Sequence, residues 1–571
     1  MRTNYFIIPF LSMLLFSSCN YLDYDETSGL KTKEDMYKYF DTSKQMLTHV
    51  YSFMPQGSSL FSGSISTIAM LDCASDDAEF GAVADDIQLM NNGGWSAINT
   101  YDDSWSLYNG IRAANSFIIE IAQADFTRYE HNGSYQNWMK QLQYFPYEAR
   151  VLRAYYFFEL ARRYGDIAMP LAVLTEEEAN TIGKTAFADV IQFIVDECDA
   201  AATDGHLPES YAGEPGQEIG RVTKGFAMAL KSKALLYAAS ELHNPSMDQE
   251  AWKKSAMAAL DIINLGLYSL DPDGCANNLG SKETVFMKMN GNSNAFELYN
   301  YPIRLTKGER SSSNVDQSNY PSQNLVDAFE TANGYKVTLE NTGWTSEDPA
   351  FDAQNPYANR DKRFYRTILY NGLDFKNEGD IQVFEGGRDY NTVTQGGTPT
   401  GYFLRKYIQE STDFTPGNLI DARHYWVVYR YAETLLTYAE SMVNAFNDVN
   451  YTDSNYPYSA LWAINQVRAN ADMPAIPSCS KDEFMERLYN EWRVEFAFED
   501  HRFWDVRRWK IADSTQRELY GVKIEKQANG TLYYYKNLYE TRTWKDCMYL
   551  YPIPQSELFK NTNLYPQNTG W

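Results

Sequence analysis

Motifs that carry out common enzyme chemistry are absent from this sequence. There is no G-x-S-x-G nucleophile elbow and no H-E-x-x-H zinc motif, and the six histidines never fall at zinc-ligand spacing. Gly183-Lys184-Thr185 is similar to the end of a phosphate-binding P-loop, but Glu178 stands where the first glycine of that motif belongs. No nucleophile, zinc site or nucleotide-binding loop is therefore predicted.

Acidic residues are the next candidates. The run Asp271-x-Asp273-Gly274 is too short for an EF-hand calcium loop. Asp72, Asp76 and Asp77 could bind calcium, although their spacing favours a solvated turn. A glycosidase needs two carboxylates roughly 5–10 Å apart, and 75 acidic residues supply such pairs by chance. The sequence therefore gives no positive sign of catalysis, and neither a metal nor a cofactor is predicted.

Aromatic residues are the most abundant side chains with a clear binding chemistry. The chain has 44 tyrosines and 12 tryptophans. These rings combine a flat apolar face with a polar edge, which suits partly wet binding surfaces, although many such rings pack between helices. The net charge of −25 disfavours nucleic acid and anionic membrane surfaces as partners. It suits a neutral or cationic ligand, or solubility alone.

Amphipathic helices are predicted where apolar residues recur at spacings of three and four. These segments are 148–163, 223–242, 252–265, 429–446 and 459–469. Ser480 and Glu483 form a capping-box pattern, which predicts a further helix that runs to about Phe498.

Three of these helices share a composition. Segments 148–163, 223–242 and 429–446 each mix alanines with aromatic residues, and each is followed by a second helical stretch. This layout is typical of tetratricopeptide-like helix pairs, although the spacing is irregular. The predicted fold is mainly α, a tetratricopeptide-like scaffold with long loop excursions and minor short strands.

Long stretches rich in Gly, Asn, Asp and Pro separate the helices. They are 54–104, 205–221, 268–322, 331–425 and 511–571, with short strand-like runs at 283–289 and 402–407. Loops of this length are usually functional in a compact protein. We expect them to build a ligand-binding face on a single domain, residues 34–571.

The first residues have the features of a lipoprotein signal peptide. An apolar run at 5–16 is too short to span a bilayer comfortably, and small residues precede Cys19. We predict a signal peptide at 1–18, lipidation of Cys19 and a polar tether at 19–33. The acidic residues of the tether are similar to a Bacteroidetes surface-export signal, or they form an ordinary linker.

Five further cysteines give no disulfide framework. They are few, odd in number and far apart, and no C-x-x-C occurs: Cys73, Cys198, Cys275, Cys479 and Cys547. A single bridge is possible, and the sequence does not select it.

Fixed spacings of charged and aromatic residues recur along most of the chain. The segment 147–171, the pattern from Trp105 to Asn115 and the run 359–364 are three of them. The most specific set is C-terminal and comprises Arg430-Tyr431-Ala432-Glu433 with Glu440, Asn465-x-Val467-Arg468, and the run of Glu491, Arg493, Glu495, Phe496, Glu499, Arg502, Asp505, Arg508 and Trp509. These patterns resemble the SusD/RagB family, surface lipoproteins that capture nutrients, usually glycans, for an outer-membrane transporter.

The charged motif residues are expected to be structural. Their signs alternate on adjacent helices, and buried charges persist only when paired. We expect ion pairs that tie the scaffold together, rather than ligand contacts, at Glu433, Glu440, Arg468, Glu495, Arg502 and Asp505.

The resemblance implies a non-enzymatic glycan-binding lipoprotein, anchored through Cys19 to the outer membrane, facing outwards above a SusC-like TonB-dependent transporter. It also places ligand contacts in the loops before the second helix and near 280–345. Candidate stacking platforms there are Trp95, Tyr101, Tyr299, Tyr301, Tyr320 and Trp344, with Asn99 and Arg304 as polar partners.

Other interpretations stay open at this point. The protein could be a mainly structural lid for the transporter, with recognition elsewhere. Its cargo could be a peptide rather than a sugar. A hydrolase on a helical scaffold is the third alternative.

Overall fold

The computed structural model describes residues 33–211 and 218–571, and helices dominate it. Within those residues the α-helices are α1 (Lys33–Met36), α2 (Phe40–Tyr51), α3 (Gln88–Asn92), α4 (Leu107–Ile121), α5 (Tyr135–Leu142), α6 (Phe145–Tyr164), α7 (Glu176–Ala179), α8 (Phe187–Ala202), α9 (Lys224–Ala239), α10 (Gln249–Leu265), α11 (Ala295–Asn300), α12 (Gln323–Ala328), α13 (Lys362–Thr367), α14 (Tyr431–Phe446), α15 (Ala460–Asn470), α16 (Lys481–Glu495), α17 (His501–Arg508), α18 (Ala512–Thr515) and α19 (Gln555–Lys560).

Short antiparallel strand pairs fill the segments between the helices. The strands are β1 (Ala78–Phe80), β2 (Ile167–Ala168), β3 (Lys184–Thr185), β4 (Thr284–Ser293), β5 (Asn319–Pro321), β6 (Val337–Glu340), β7 (Gly343–Ser346), β8 (Ile368–Leu369), β9 (Phe403–Leu404), β10 (Asp413–Thr415), β11 (Asn418–Ile420), β12 (Ala422–Arg430), β13 (Glu518–Lys526) and β14 (Leu532–Thr541). They pair as β1–β5, β2–β3, β4–β12, β6–β7, β8–β9, β10–β11 and β13–β14. The strand-like run predicted at 283–289 lies in β4.

The scaffold is a row of helices in which each contacts the next. The order of contact is α2, α4, α6, α8, α9, α10, α14 and α15. The helix pairs predicted from the alanine-rich segments are α6 with α8, α9 with α10, and α14 with α15, so the predicted fold class is confirmed. Among the described residues, no helix is both long enough and apolar enough to span a bilayer.

Helix α6 shows why these segments pack closely. Its alanines, including Ala149 and Ala154, are fully buried and let neighbouring backbones approach. Large rings fill the remaining space: Tyr156 and Phe157 are also fully buried, and the Tyr156 hydroxyl donates to the Val50 carbonyl on α2. The helix therefore lies inside the scaffold rather than on its surface.

Helix α16 ends earlier than the sequence predicts. It stops at Glu495 instead of near Phe498, although the Ser480 hydroxyl accepts the Glu483 N–H as expected. Phe498 and Asp500 adopt positive φ angles of 59° and 61°. Their N–H groups donate to the carboxylate of Asp72 at 3.0 and 3.3 Å. The carboxylate of Asp72, which is distant in sequence, thus binds these two amides. The chain leaves α16 there and then enters α17.

The loops share the core of the scaffold. One large group of packed apolar residues extends from Tyr37 to Leu564 and includes side chains from the first helices, the long loops and the C-terminal segment. A second group lies among α10, α14, α15 and α16. The loop excursions are therefore packed parts of the protein.

The six charged motif residues form the expected ion pairs. Their partners are Lys233 for Glu433, Arg508 for both Glu440 and Asp505, Glu330 and Glu491 for Arg468, Arg363 and Arg430 for Glu495, and Asp76 for Arg502. The prediction is confirmed, and most of these groups are buried.

Arg430 and Arg363 are the centres of the largest cluster. Arg430 contacts Glu283 and Glu495 at 2.6 Å each and Glu499 at 2.9 Å. Arg363 contacts Asp361, Glu491 and Glu495 at 2.5–2.8 Å. Glu495 joins the two guanidinium groups, so strand β12 and the start of α13 are both fixed to the end of α16.

We predict that Arg508→Met destabilises the protein by about 3–5 kcal/mol, because it leaves the carboxylate of Glu440 buried without its main cation. Arg508 is 1 % exposed and binds both oxygens of Glu440 at 2.5 and 2.9 Å. Denaturant unfolding measures the change. The control is Arg487→Met, which breaks an exposed pair with Glu483 and should cost less than about 1 kcal/mol.

The double variant Glu440→Gln/Arg508→Met removes both charges and should recover part of the loss. Equal stability of Arg508→Met and Arg487→Met would contradict a structural role for the buried pair.

Candidate functional site

Three loops and one hairpin meet on one side of the protein. We call the surface formed by residues 81–87, 303–317, 384–401 and the hairpin β13–β14 the loop face. Segment 384–401 runs along the free edge of β13, where the Glu385 N–H donates to the Ile524 carbonyl at 3.0 Å and the Val522 N–H donates to the Thr400 carbonyl at 2.8 Å.

Two glycines allow these loops to touch. The Gly81 N–H donates to the Ser318 carbonyl at 3.1 Å, and a Cβ on Gly81 would collide with the carbonyl of Asp316. Gly396 has a φ of +81°, and a Cβ there would lie 2.7 Å from the Cβ of Ile303. The loops are therefore in direct backbone contact.

Arg304 fixes segment 384–401 from the neighbouring loop. Its Nε lies 2.7 Å from Asp389 Oδ1, and its other nitrogens donate to the carbonyls of Glu378 and Gly379 at 3.2 Å. Asp389 is buried, and its second oxygen accepts the Gln382 N–H at 2.9 Å. The next residue, Tyr390, is 47 % exposed. Arg304 thus positions a loop that presents an aromatic ring to solvent.

The six aromatic residues predicted as stacking platforms are all buried. Their exposed fractions are 1–9 %: Trp95 2 %, Tyr101 9 %, Tyr299 6 %, Tyr301 1 %, Tyr320 1 % and Trp344 4 %. Of the predicted polar partners, Asn99 is exposed and Arg304 is partly exposed. All six rings therefore belong to the packed interior of the protein.

The two tryptophans lie in different parts of the core. Trp344 on β7 packs edge-on against Tyr357 and Tyr534, with ring centroids 5.7 and 6.3 Å apart. Trp95 packs edge-on against Tyr551 and Trp571 at 4.8 and 5.0 Å. Gly-containing turns flank both in sequence, but distant aromatic residues cover them.

Tyr299 and Tyr320 support the loop face from below. The Asn314 side chain donates to the Tyr299 hydroxyl at 3.2 Å, and the guanidinium of Arg310 stacks 5.4 Å from the Tyr299 ring. Tyr320 lies in β5 directly beneath Gly81, where a Cβ would approach its ring to 2.8 Å.

Tyr101 and Tyr301 are fixed by their hydroxyl groups. The Tyr101 hydroxyl donates to the Ala69 carbonyl at 2.7 Å, and that of Tyr301 bonds the Thr412 hydroxyl at 3.1 Å. A stacking platform needs an exposed ring, and long-range partners bury all six of these rings. Ligand contact by any of the eight residues stays a prediction.

Other tyrosines are exposed on the loop face, and the sequence analysis missed them. Besides Tyr390 they are Tyr533, which is 48 % exposed, and the half-buried Tyr535. The available signal was the run 532–541, where alternate residues of a strand share one face. The run lies within a long stretch that was interpreted as a loop, and it contains many tyrosines. The alternation was therefore not recognised in the sequence.

The acidic turn at Asp72, Asp76 and Asp77 is buried rather than solvated, which corrects the sequence-based interpretation. Asp76 binds Arg493 at 2.9 Å and Arg502 at 2.7 Å. Burial alone would raise the pKa of Asp76, but these two guanidinium groups outweigh it and hold the pKa well below its usual range. Burial, with Asp500 and Asp77 nearby, raises the pKa of Asp72 well above its usual range.

These carboxylates connect distant parts of the chain, because their partners lie in and after α16. In residues 33–211 and 218–571, no three His, Cys, Asp or Glu side chains are grouped as metal ligands. The five cysteines in these ranges are all free thiols, so the bridge left open by the sequence is not formed.

Comparison with known proteins identifies the family. A model of the SusD family matches residues 282–571. The chain belongs to the SusD family. The match covers the loop face from residue 303 onwards, the ion-pair cluster and the C-terminal hairpin.

Relatives in the SusD family share the whole architecture. A SusD-like protein from Bacteroides fragilis has 25 % identity and a TM-score of 0.74 over 95 % of this chain and 99 % of its own. A SusD-like carbohydrate-binding protein from the same species has 24 % identity and a TM-score of 0.72 over 93 % and 100 % of the two chains. SusD-like protein P2 of Formosa agariphila is 23 % identical over 437 residues, 74 % of this chain and 73 % of its own.

We predict that Trp344→Ala and Trp95→Ala each destabilise the fold by about 3–5 kcal/mol, because each removes a large ring from a packed core. Thermal unfolding and near-ultraviolet circular dichroism measure the effect. Tyr390→Ala is the control, since it removes an exposed ring and should change stability by less than about 0.5 kcal/mol. Tryptophan variants as stable as the wild type would show that these rings are less tightly packed than described.

Proposed function

We propose that this protein is a glycan-binding lipoprotein of the outer-membrane surface that delivers its ligand to a SusC-like TonB-dependent transporter. Membership of the SusD family and the carbohydrate-binding relative from Bacteroides fragilis support the proposal. The assignment includes a lipid anchor at Cys19, which lies outside the residues that the structure describes. No catalytic step is part of the proposal.

The observation that carries the proposal is the exposed ring of Tyr390 on a loop that is rigidly held. The ion pair between Arg304 and the buried Asp389 fixes the residue immediately before this ring. A preorganised ring loses little conformational entropy when a ligand stacks on it. Such a ring suits the apolar face of a pyranose, since both surfaces are flat and partly wet.

Polar groups that can bond sugar hydroxyls are exposed on the same loop face. Residues 311–313, Asn391 and Thr392 are exposed, and they offer hydroxyl and amide groups at the rim of the loop face. Asn99 and Arg304 stay candidate polar contacts within this proposal. A chain with a net charge of −25 disfavours polyanions, so a neutral glycan is the favoured ligand.

The test is titration calorimetry of the wild type against plant, host and microbial polysaccharides. We expect at least one to bind, and Tyr390→Ala to weaken that binding by about 1–3 kcal/mol, on the scale of aromatic stacking with nucleobases. Tyr39→Ala is the matched control, because Tyr39 is 50 % exposed but packs against Tyr129 and Arg128 at the N-terminal helices.

The alternatives correspond to different results of this experiment. A wild type that binds none of a broad panel but retains the transporter on co-purification would support the structural lid. Binding of peptides in place of sugars would identify the other cargo. Glycan binding that Tyr390→Ala leaves unchanged would place the site away from Tyr390.

We also predict that Cys19 carries the lipid. Growth with a radioactive fatty acid should label the wild type and not Cys19→Ala, and the variant should leave the outer-membrane fraction. The variant should keep its melting temperature, because the core described for residues 33–211 and 218–571 is formed without Cys19. Equal labelling of both proteins would disprove the anchor.

A further inference from the structure

The hairpin β13–β14 presents a flat tyrosine surface next to Tyr390. Its register pairs Glu525 with Tyr533, Lys523 with Tyr535 and Gly521 with Asn537. Directly opposite residues of an antiparallel pair point to the same face. Tyr533, Tyr535 and Asn537 therefore share one face with Lys523 and Glu525.

The alternate residues show which face is outward. Ile524, Val522 and Tyr534 are buried, and Tyr534 packs against Trp344 in the core. On the other face Tyr533 is 48 % exposed, and Asn537 and Lys523 are exposed. We call this outward face, made of Tyr533, Tyr535, Asn537, Lys523 and Glu525, the tyrosine face.

The tyrosine face continues into the segment that carries Tyr390. The Glu385 N–H donates to the Ile524 carbonyl at 3.0 Å along the edge of β13. The segment that carries Tyr390 therefore runs along β13, on the side opposite to β14. Tyrosines of this segment and of β14 thus belong to the same loop face.

The polar groups of this surface are available to a ligand. In the part of the chain that the structure describes, the hydroxyls of Tyr390, Tyr533 and Tyr535 form no hydrogen bond to protein. Each can donate and accept at the edge of its own ring. The surface thus combines apolar ring faces with free hydroxyl and amide groups.

Charge on the tyrosine face is already balanced. The Lys523 ammonium lies 2.8 Å from the Glu525 carboxylate. The two charged side chains of the tyrosine face therefore neutralise each other. The rest of the chain is strongly acidic, and a polyanion would meet repulsion around the face. The charge pattern therefore matches an uncharged ligand rich in hydroxyl groups.

The shape of the face matches an extended ligand. Residues two apart on a strand are separated by about 7 Å, so Tyr533 and Tyr535 stand side by side along β14. The face is a strip along β14, and the backbone of Thr400 packs against its Gly521 end. A strip of this kind can contact several sugar units of one chain, but it makes few contacts with a monosaccharide.

We propose that the tyrosine face is an aromatic platform that binds a run of sugar units in a linear, uncharged polysaccharide, as an extension of the contact at Tyr390. The proposal rests on the proposed glycan-binding function and names the form of the ligand and a second part of its site. It requires no covalent step. Affinity should rise with chain length, because longer chains reach Tyr390 and both hairpin tyrosines together.

The test compares the neutral polysaccharide that binds the wild type with oligosaccharides cut from it. Tyr533→Ala/Tyr535→Ala should weaken polysaccharide binding about tenfold to hundredfold and reduce the gain from chain length. Tyr533→Phe/Tyr535→Phe keeps the rings and should retain most of the affinity. Leu538→Ala is the matched control, since Leu538 is 49 % exposed on the opposite face of the same strand.

A second measurement uses the wild type alone and does not depend on the folding of any variant. Hydroxyl-radical footprinting should show that the polysaccharide protects Tyr533, Tyr535 and Tyr390 from oxidation, while Tyr39 stays reactive. Unchanged reactivity of Tyr533 and Tyr535 at saturating polysaccharide would overturn the platform.

The outcomes separate the two proposals. If the wild type binds a polysaccharide and the double alanine variant binds it equally well, the platform is wrong and the glycan-binding function stands. If the wild type binds no polysaccharide, both proposals fail. Loss of binding in the alanine variant, retention in the phenylalanine variant and protection of the two rings together support the platform.

Discussion

The compensation of buried charge is the constraint on which this structure depends. Arginine groups that are almost completely buried stand at the junctions between the helices and the long loops. Most of them bind carboxylates, which offsets a large desolvation cost. The end of α16 and helix α17 contribute to many of these pairs: Glu491, Glu495 and Glu499 bind arginines of other elements, and Arg502 and Arg508 bind Asp76 and Glu440.

This arrangement separates the helical scaffold from the loop face. The ion pairs fix where each loop leaves the scaffold, as Arg430 does for β12 and Asp76 does for the turn before β1. In the described part of the chain, the tips of the loops lie outside that network of ion pairs. There, Arg304 holds segment 384–401 through its pair with Asp389. Residues at the loop tips can therefore be substituted without disturbing the ion pairs that hold the scaffold together.

The sequence patterns predicted the helical scaffold and its ion pairs better than they predicted the loop face. Helical periodicity located α6, α9, α10, α14 and α15 to within a few residues, because each buries a stripe that local spacing records. Alternating charge signs also indicated the ion pairs. The early end of α16 could not be predicted, since it depends on Asp72, more than 400 residues away.

The candidate site was harder to predict from the sequence, for a related reason. Trp344 and Tyr390 both follow glycine-containing turns, yet one ring is buried by Tyr357 and Tyr534 and the other faces solvent. Exposure of a loop aromatic is decided by partners far along the chain, which composition and local spacing do not record. The exposed rings of β14 were detectable in principle through their strand alternation.

The position of the charge partners along the chain also constrains how the protein can fold. Asp72, Asp76, Asp77 and Glu79 obtain their partners from Arg493, Arg502 and Arg542 and from the amides after α16, across separations of more than 400 residues. Contacts of such high sequence separation form late and slowly. The N-terminal helices can pair as they emerge, but the turn at 72–79 must wait for the C-terminal segment. The ion pairs of residues 72–79 therefore form only after the C-terminal segment has been synthesised.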